Sequence, residues 1–398
     1  MAENRTLLIT LTGRDRPGVT SRLFTTLAAF PVTVADVEQV VIRGRLVLGV
    51  LVAYDAATDL GVLWSTVEEL ADDLEMEVEL STGGKEERLR RGRLHVTVLG
   101  SPLLPAAMAG IAGRIAASGA NIDRIHRLSA YPITSIDLAV SGADPDLLRA
   151  ELAAEAAAQR VDVAVQRSGL HRRAKRLIVM DVDSTLIQGE VIELLAKHAG
   201  CLDEVEKVTA AAMRGELDFE QSLRERVALL AGLPESALDK VREEVVLTPG
   251  ARTLVRTLKR LDYKFAIVSG GFTQITDHLV ADLGIDYSAA NTLEIVDGRL
   301  TGKVVGAVVD RPGKAEALRR FAAEAGIPIA QTVAIGDGAN DLDMIAAAGL
   351  GIAFNAKPVV REAADTALNV PYLDAILYFL GIPRDEIDAA DAEDATAR

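Results

Sequence analysis

Four consecutive apolar residues, Leu177, Ile178, Val179 and Met180, run straight into Asp181, Val182, Asp183, Ser184 and Thr185. An apolar run without polar alternation predicts a strand covered on both faces, as in the parallel sheet of an α/β fold. Side chains alternate along a strand, so two acids separated by Val182 leave on the same side, and Ser184-Thr185 ends the pattern. Two carboxylates are thereby aimed beyond a strand's carboxyl end, where open α/β sheets bind ligands. Like charges this close are tolerated when a cation joins them or one keeps its proton. Asp, Ser and Thr are also common at N-caps and turns, so the segment alone has that second reading.

Three later stretches repeat the design of an apolar run ending in polar chemistry. A strand over 264–268 ends at Ser269-Gly270-Gly271, whose hydroxyl and backbone N–H groups suit a phosphate, although the same residues also make ordinary loops. Pro312-Gly313-Lys314 precedes a helix over 315–325; a lysine there opposes the helix dipole and either answers an anion or faces solvent. A strand over 332–335 runs into Gly336-Asp337-Gly338-Ala339-Asn340-Asp341, and Asp337 can offer a carboxylate to a hard divalent cation from a neighbouring strand end. A further strand is expected over 349–354.

Between the first two strands, helical periodicity over 191–199, 202–215, 218–231 and 234–245 predicts an all-helical lid, spanning about 187–246. Glu190 begins its first helix and Arg226 lies within its third; by spacing alone either could be a surface charge.

Residues 6–80 read strand, helix, strand, strand, helix, strand, and residues 94–165 repeat that order with similar lengths, which is the ferredoxin-like βαββαβ unit. The expected domains are 1–82, 93–166 and 177–384. Residues 81–85 and the basic stretch 166–176 are expected to be solvated linkers, and the acidic ending 385–398 to be frayed. In the first unit Asp15-Arg16-Pro17-Gly18 opens a helix expected over 17–29, with Pro17 in its first turn and Gly18 letting a carboxylate approach free N–H groups. A net charge of −15 makes the chain a poor ligand for nucleic acid or anionic membrane. No apolar run approaches a membrane span and the amino terminus lacks a signal pattern, so a cytoplasmic location is expected. The single cysteine, Cys201, excludes an internal disulfide and is expected to pack in a helical segment.

The Asp181–Asp183 segment, Ser269, Lys314 and the Gly336–Asp341 segment, in that order, resemble the four motifs of the haloacid dehalogenase-like phosphohydrolases. With the lid, the chain is similar to the phosphoserine phosphatases of that superfamily. The resemblance implies a Rossmann-like core and hydrolysis of O-phospho-L-serine, the last step of L-serine biosynthesis. It implies Asp181 as nucleophile and Asp183 as proton donor and base. Mg²⁺ would be held by Asp181, Asp337 and the Asp183 carbonyl. Ser269, Gly270 and Lys314 would hold the phosphoryl group, with Asn340 contacting substrate. Glu190 and Arg226 would hold the amino and carboxylate groups, with Met213 and Phe219 as apolar lid contacts, and Asp341 would support the metal or Lys314. Asp15-Arg16-Pro17-Gly18 resembles the signature of ACT domains, which implies a regulatory amino acid, L-serine first, near Asp15 and Gly18; Gly100-Ser101-Pro102 in the second unit lacks that signature. A homodimer is expected. The alternatives are a phosphatase of another small ester, or an amino-acid-sensing protein with a silent core.

Overall fold

The computed structural model describes residues 5–396, apart from 56, 84–92, 170–171, 173 and 215 and the side chains of 213, 395 and 396. Two compact units divide the chain, Met1–Arg90 and Arg91–Arg398. In the first, β1 (Arg5–Arg14), β2 (Val32–Ile42), β3 (Arg45–Tyr54) and β4 (Glu77–Gly83) form an antiparallel sheet ordered β2-β3-β1-β4. Alternation buries Leu7, Ile9 and Leu11 of β1 and five residues of β3 against Val19, Leu23 and Leu27 of one helix and Leu63 and Val67 of the other. This is the expected ferredoxin-like order, with two local corrections. Gly18 caps the first helix at φ 95, a left-handed conformation glycine adopts without steric cost, so the helix begins at Val19 and Pro17 precedes it. Ser81, Thr82 and Gly83, expected in a linker, pair with Leu8, Leu7 and Thr6 as the end of β4; the rest of that linker lies outside the described residues.

The second unit opens with the same pattern, β5 (Arg93–Gly100), β6 (Asn121–Ser129), β7 (Thr134–Ser141) and β8 (Asp162–Arg167), with helices Pro105–Ala117 and Pro145–Gln159. Its remaining strands are β9 (Leu177–Asp181), β10 (Lys264–Phe272), β11 (Tyr287–Val296), β12 (Arg299–Val305), β13 (Thr332–Gly336), β14 (Gly351–Phe354) and β15 (Thr366–Leu368). All eleven lie in one sheet, ordered β12-β11-β10-β9-β13-β14-β15-β8-β5-β7-β6. The stretch from β11 to β15 is parallel, the α/β core expected from the apolar strands.

The seam between the two halves of this sheet is a real junction. Thr366 pairs with Ala164, the Asn369 N–H and side-chain amide donate to Asp162 at 2.8 and 2.7 Å, and Gln166 donates to the Phe379 carbonyl at 2.8 Å. Leu99, Leu128, Ile133 and Ala164 share one apolar cluster with the core strands. Among its described residues, the stretch 166–176 is therefore tied down at particular side chains, and is not the wholly solvated linker its composition suggested. Lys175 is 5% exposed and donates to the Ala330 carbonyl, and Arg172 donates to Asp137, which also accepts from Thr97 and meets His95. Buried acceptors supplied by distant segments, invisible in local composition, override its polarity.

Among the described residues, the acidic ending is likewise not frayed. Arg384–Thr396 is a helix that buries Ile387, and its Asp391 and Asp394 pair with Arg256 and Arg260. Residues 287–305 carry no expectation above, yet Asp297-Gly298 between two apolar stretches is a strong hairpin signal. Both residues have positive φ, 50° and 71°, and turn β11 into β12.

Candidate active site

Strands β10, β9 and β13 are adjacent and parallel, so their carboxyl ends share one edge. Asp181 stands opposite Val268, which puts Ser269 one residue further out; Ile335 stands opposite Met180, which does the same for Asp337. Register alone thus collects three of the four sequence motifs. Lys314 supplies the fourth from the helix Arg311–Glu324, whose Asp310 cap accepts from the Gly313 N–H. The lysine is fully buried, and its ammonium donates to Asp181 Oδ1 at 2.5 Å and Asp341 Oδ1 at 2.7 Å. Oxygens of Asp181, Asp337 and Asp341 lie within 4.8 Å of one another. Gly336 is required here, because a Cβ would meet the Asp341 carboxyl carbon at 2.4 Å.

Asp183 has a different environment from Asp181. The chain turns at Ser184 with φ 57, and Asp183 accepts from the Val191 N–H at 2.8 Å and from the Ser269 hydroxyl at 3.0 Å. One carboxylate therefore ties the core to the first lid helix, Val191–Ala199, and its side chain stands outside the three-acid group. Glu190 caps that helix and accepts from the Ser184 hydroxyl at 3.3 Å. Arg226 comes from the helix Phe219–Ala228, which a capping box of Asp218 and Gln221 begins. Phe219 packs on Gly270, where a Cβ would come within 3.0 Å of the ring.

A cavity of about 420 Å³ lies between lid and strand ends. Asp181, Asp183 and Asp337 form part of its floor; Glu190, Arg226 and Phe219 face it from the lid, with Gly270 and Asn340 at its sides. Ser269 is buried beside it. The Met213 side chain lies outside the described residues. Asp15 and Gly18 belong to the first unit, where the Asp15 N–H donates to the Gly44 carbonyl and Gly18 has open space on its Cβ side.

Three contributors had no role assigned from the sequence, although Thr185 itself stands in the first motif segment. Asn291, 1% exposed, bonds the Gly270 carbonyl and the Val309 N–H and so fixes the glycine loop. Thr185 donates to Asp337 at 3.0 Å, and Lys357 lines the cavity. An isolated Asn in Ala290-Asn291-Thr292 gives no periodic or motif cue, and its role exists only once β11 lies beside β10.

Residues 178–346 match the model for haloacid dehalogenase-like hydrolases, and residues 5–81 and 94–166 match models for ACT domains. A phosphoserine phosphatase of Streptomyces coelicolor is 65% identical over 97% of this chain and 94% of its own length. The chain belongs to the phosphoserine phosphatase family. A phosphoserine phosphatase of Mycobacterium tuberculosis is 53% identical over 98% of this chain and 97% of its own length. In three dimensions, a crystal structure of a probable phosphoserine phosphatase of Vibrio cholerae, unliganded, is similar with TM-score 0.59 and 39% identity, over 75% of this chain and 89% of that one. The sheet seam thus joins the second ACT domain to the hydrolase domain.

The electrostatics of this strand-end site are dominated by excess negative charge. Burial and the Asp341 charge push Asp181 well above the usual carboxylate range, and burial raises Asp183 against the hydrogen bonds from Val191 and Ser269. Asp337 is pushed up to about 6 by burial and Asp341, and Glu190 to about 7 by burial and Asp183. Burial alone would lower Lys314, but Asp181 and Asp341 outweigh it and hold it fully charged. Arg226 is lowered by burial, with Glu190 and Asp183 opposing. Three converging carboxylates, with no sulfur or imidazole, suit a hard divalent cation, which would relieve the repulsion that raises Asp181 and Asp337.

Proposed function

We propose that this chain hydrolyses O-phospho-L-serine to L-serine and phosphate, the last step of serine biosynthesis. The observation that carries this is the placing of one lid acid, Glu190, and one lid base, Arg226, over the same cavity as Asp181 and Asp183. A guanidinium offers a carboxylate two parallel donors, and a carboxylate accepts from an ammonium, so the pair matches the two charged ends of an amino acid.

In this reading Asp181 bonds to phosphorus as the serine oxygen–phosphorus bond breaks, which leaves an aspartyl phosphate and splits one hard step into two. Asp183, whose raised affinity for protons suits the role, gives one to the departing oxygen and later takes one from the water that opens the intermediate. Lys314 orients Asp181 and balances phosphoryl charge, and Ser269 and Gly270 bound the phosphoryl site, while Asn340 contacts substrate. Mg²⁺, held by Asp181, Asp337 and the Asp183 carbonyl, would supply charge neutralisation and alignment of a phosphoryl oxygen. Asp341 is assigned to Lys314, given their 2.7 Å contact.

We also infer that an amino acid, L-serine first, regulates the enzyme from the first ACT domain near Asp15 and Gly18. A cytoplasmic homodimer is the proposed working form. Among the described residues no helix is long and apolar enough to cross a membrane, and β2 is an exposed edge strand carrying Val34, Val37, Val40, Val41 and Ile42. Because the second ACT domain is built into the hydrolase sheet, amino-acid effects belong in assays of the full chain.

The test is phosphate release from phosphoserine, phosphothreonine and a sugar phosphate, with and without Mg²⁺. Asp181→Asn should abolish turnover and trapping of labelled aspartyl phosphate; residual label would remove Asp181 as nucleophile. Arg226→Ala should lower kcat/KM for phosphoserine at least tenfold more than for an ester without a carboxylate, and equal losses would overturn the lid assignment.

A further inference from the structure

The two chain segments that connect lid and core, 184–190 and 245–250, are bonded to each other as well as to the core. Ile187 and Leu247 form an antiparallel bridge, the Gln188 N–H donates to the Val246 carbonyl at 2.8 Å, and the Thr248 N–H donates to the Leu186 carbonyl at 2.9 Å. The Thr248 hydroxyl then adds a contact that backbone pairing does not need. It donates to the Thr185 carbonyl at 2.6 Å, and Thr185 in turn donates its own hydroxyl to Asp337 Oδ1 at 3.0 Å. Both threonines are buried, at 7% and 0% exposure.

The second connecting segment is itself anchored. The Leu373 N–H donates to the Pro249 carbonyl at 2.8 Å. Gly250 has φ 84 and no space for a side chain, since a Cβ would lie 2.3 Å from Asp374 Oδ1 and 2.7 Å from the Asp374 N. Thr248 is therefore a fixed donor on a rigid segment, and it holds the peptide that sets the direction of the Thr185 side chain. Thr185 is β-branched, so its χ1 is stiff and follows its backbone.

We propose that Thr248 is a positioning residue for the cation site: through the Thr185 carbonyl it orients the Thr185 hydroxyl, which fixes the Asp337 carboxylate for a divalent cation. The inference rests on the reading of Asp337 as a cation ligand. Outer partners of metal ligands tune affinity by about 10–100-fold. Thr248 stands one bond further out, so its removal should cost less than removal of the Thr185 hydroxyl.

The experiment measures Mn²⁺ binding directly, from the free-ion electron spin resonance signal, on the full-length protein without substrate. Thr248→Val, which keeps the shape and deletes the hydroxyl, should raise the dissociation constant about three- to tenfold. Thr248→Ser should return it to within twofold of wild type, and Thr185→Val should weaken it more than Thr248→Val. At saturating cation, KM for phosphoserine should be unchanged in Thr248→Val, because the lid groups are untouched. Wild-type affinity in Thr248→Val, or an equal loss in Thr248→Ser, overturns the positioning role. If Thr248→Val does not fold, Thr248→Ala against Thr248→Ser decides by the same comparison. Absence of Mn²⁺ binding in the wild type would sink the Asp337 reading itself, a separate result from failure of the threonine relay.

Discussion

Lys314 is the residue on which the charge balance of the site depends, buried between Asp181 and Asp341 with no solvent to replace it. Lys314→Met should leave two uncompensated buried carboxylates, costing about 3–5 kcal/mol in the cation-free protein by urea unfolding, together with nearly all activity. The acids give a pH signature. Glu190 titrates at about 7 in the fold against 4.5 in a free chain, and Asp337 at about 6 against 3.8, so between those values the native state holds more protons than the unfolded one. Stability of the cation-free protein should therefore fall as pH rises from about 4.5 to 7. Glu190→Gln should flatten that slope in thermal melts at pH 5.0 to 7.5, and an unchanged slope would place the titration elsewhere. At this scale the motif acids were legible because they follow apolar strand runs, and Lys314 because a lysine near a helix start calls for an anion. Asn291, Thr248 and the bond that Thr185 makes were not, since each works through a partner between 63 and 152 positions away or on an adjoining strand.

Among elements, legibility followed periodicity. The first lid helix begins and ends where its apolar spacing puts it, and the strands before the motifs lie where their apolar runs are. Composition misled where partners are remote: an acidic helix that looks frayed is held by Arg256 and Arg260, and in a basic stretch that looks solvated Arg172 and Lys175 are held by Asp137 and the Ala330 carbonyl. Removing residues 384–398 should therefore lower Tm by several degrees, as expected for loss of a buried Ile387 and several ion pairs. Gly250→Ala meets both a left-handed backbone and the Asp374 contact, and should cost more than the roughly 1 kcal/mol of conformational strain alone. Urea midpoints would check both variants; a wild-type midpoint for Gly250→Ala would mean that the Leu373–Asp374 segment yields.

For the molecule as a whole, the repeat of two ferredoxin-like units ahead of an α/β core was readable from the order of periods. Their unequal fates were not, because nothing in the sequence of β8 says that one pair of residues, Thr366 and Ala164, will close a gap to β15. A chain of residues 91–398 should fold cooperatively and keep phosphatase activity, whereas one beginning at 177 should lose solubility by exposing the Phe379 carbonyl region and the β15 edge. Calorimetry and light scattering on the two truncations would show whether they differ. For anyone building chimaeras that exchange regulatory modules among relatives, the practical splice point is accordingly near Arg90, and a graft cut between β8 and β9 would carry half of a shared sheet into a host with no mate for it.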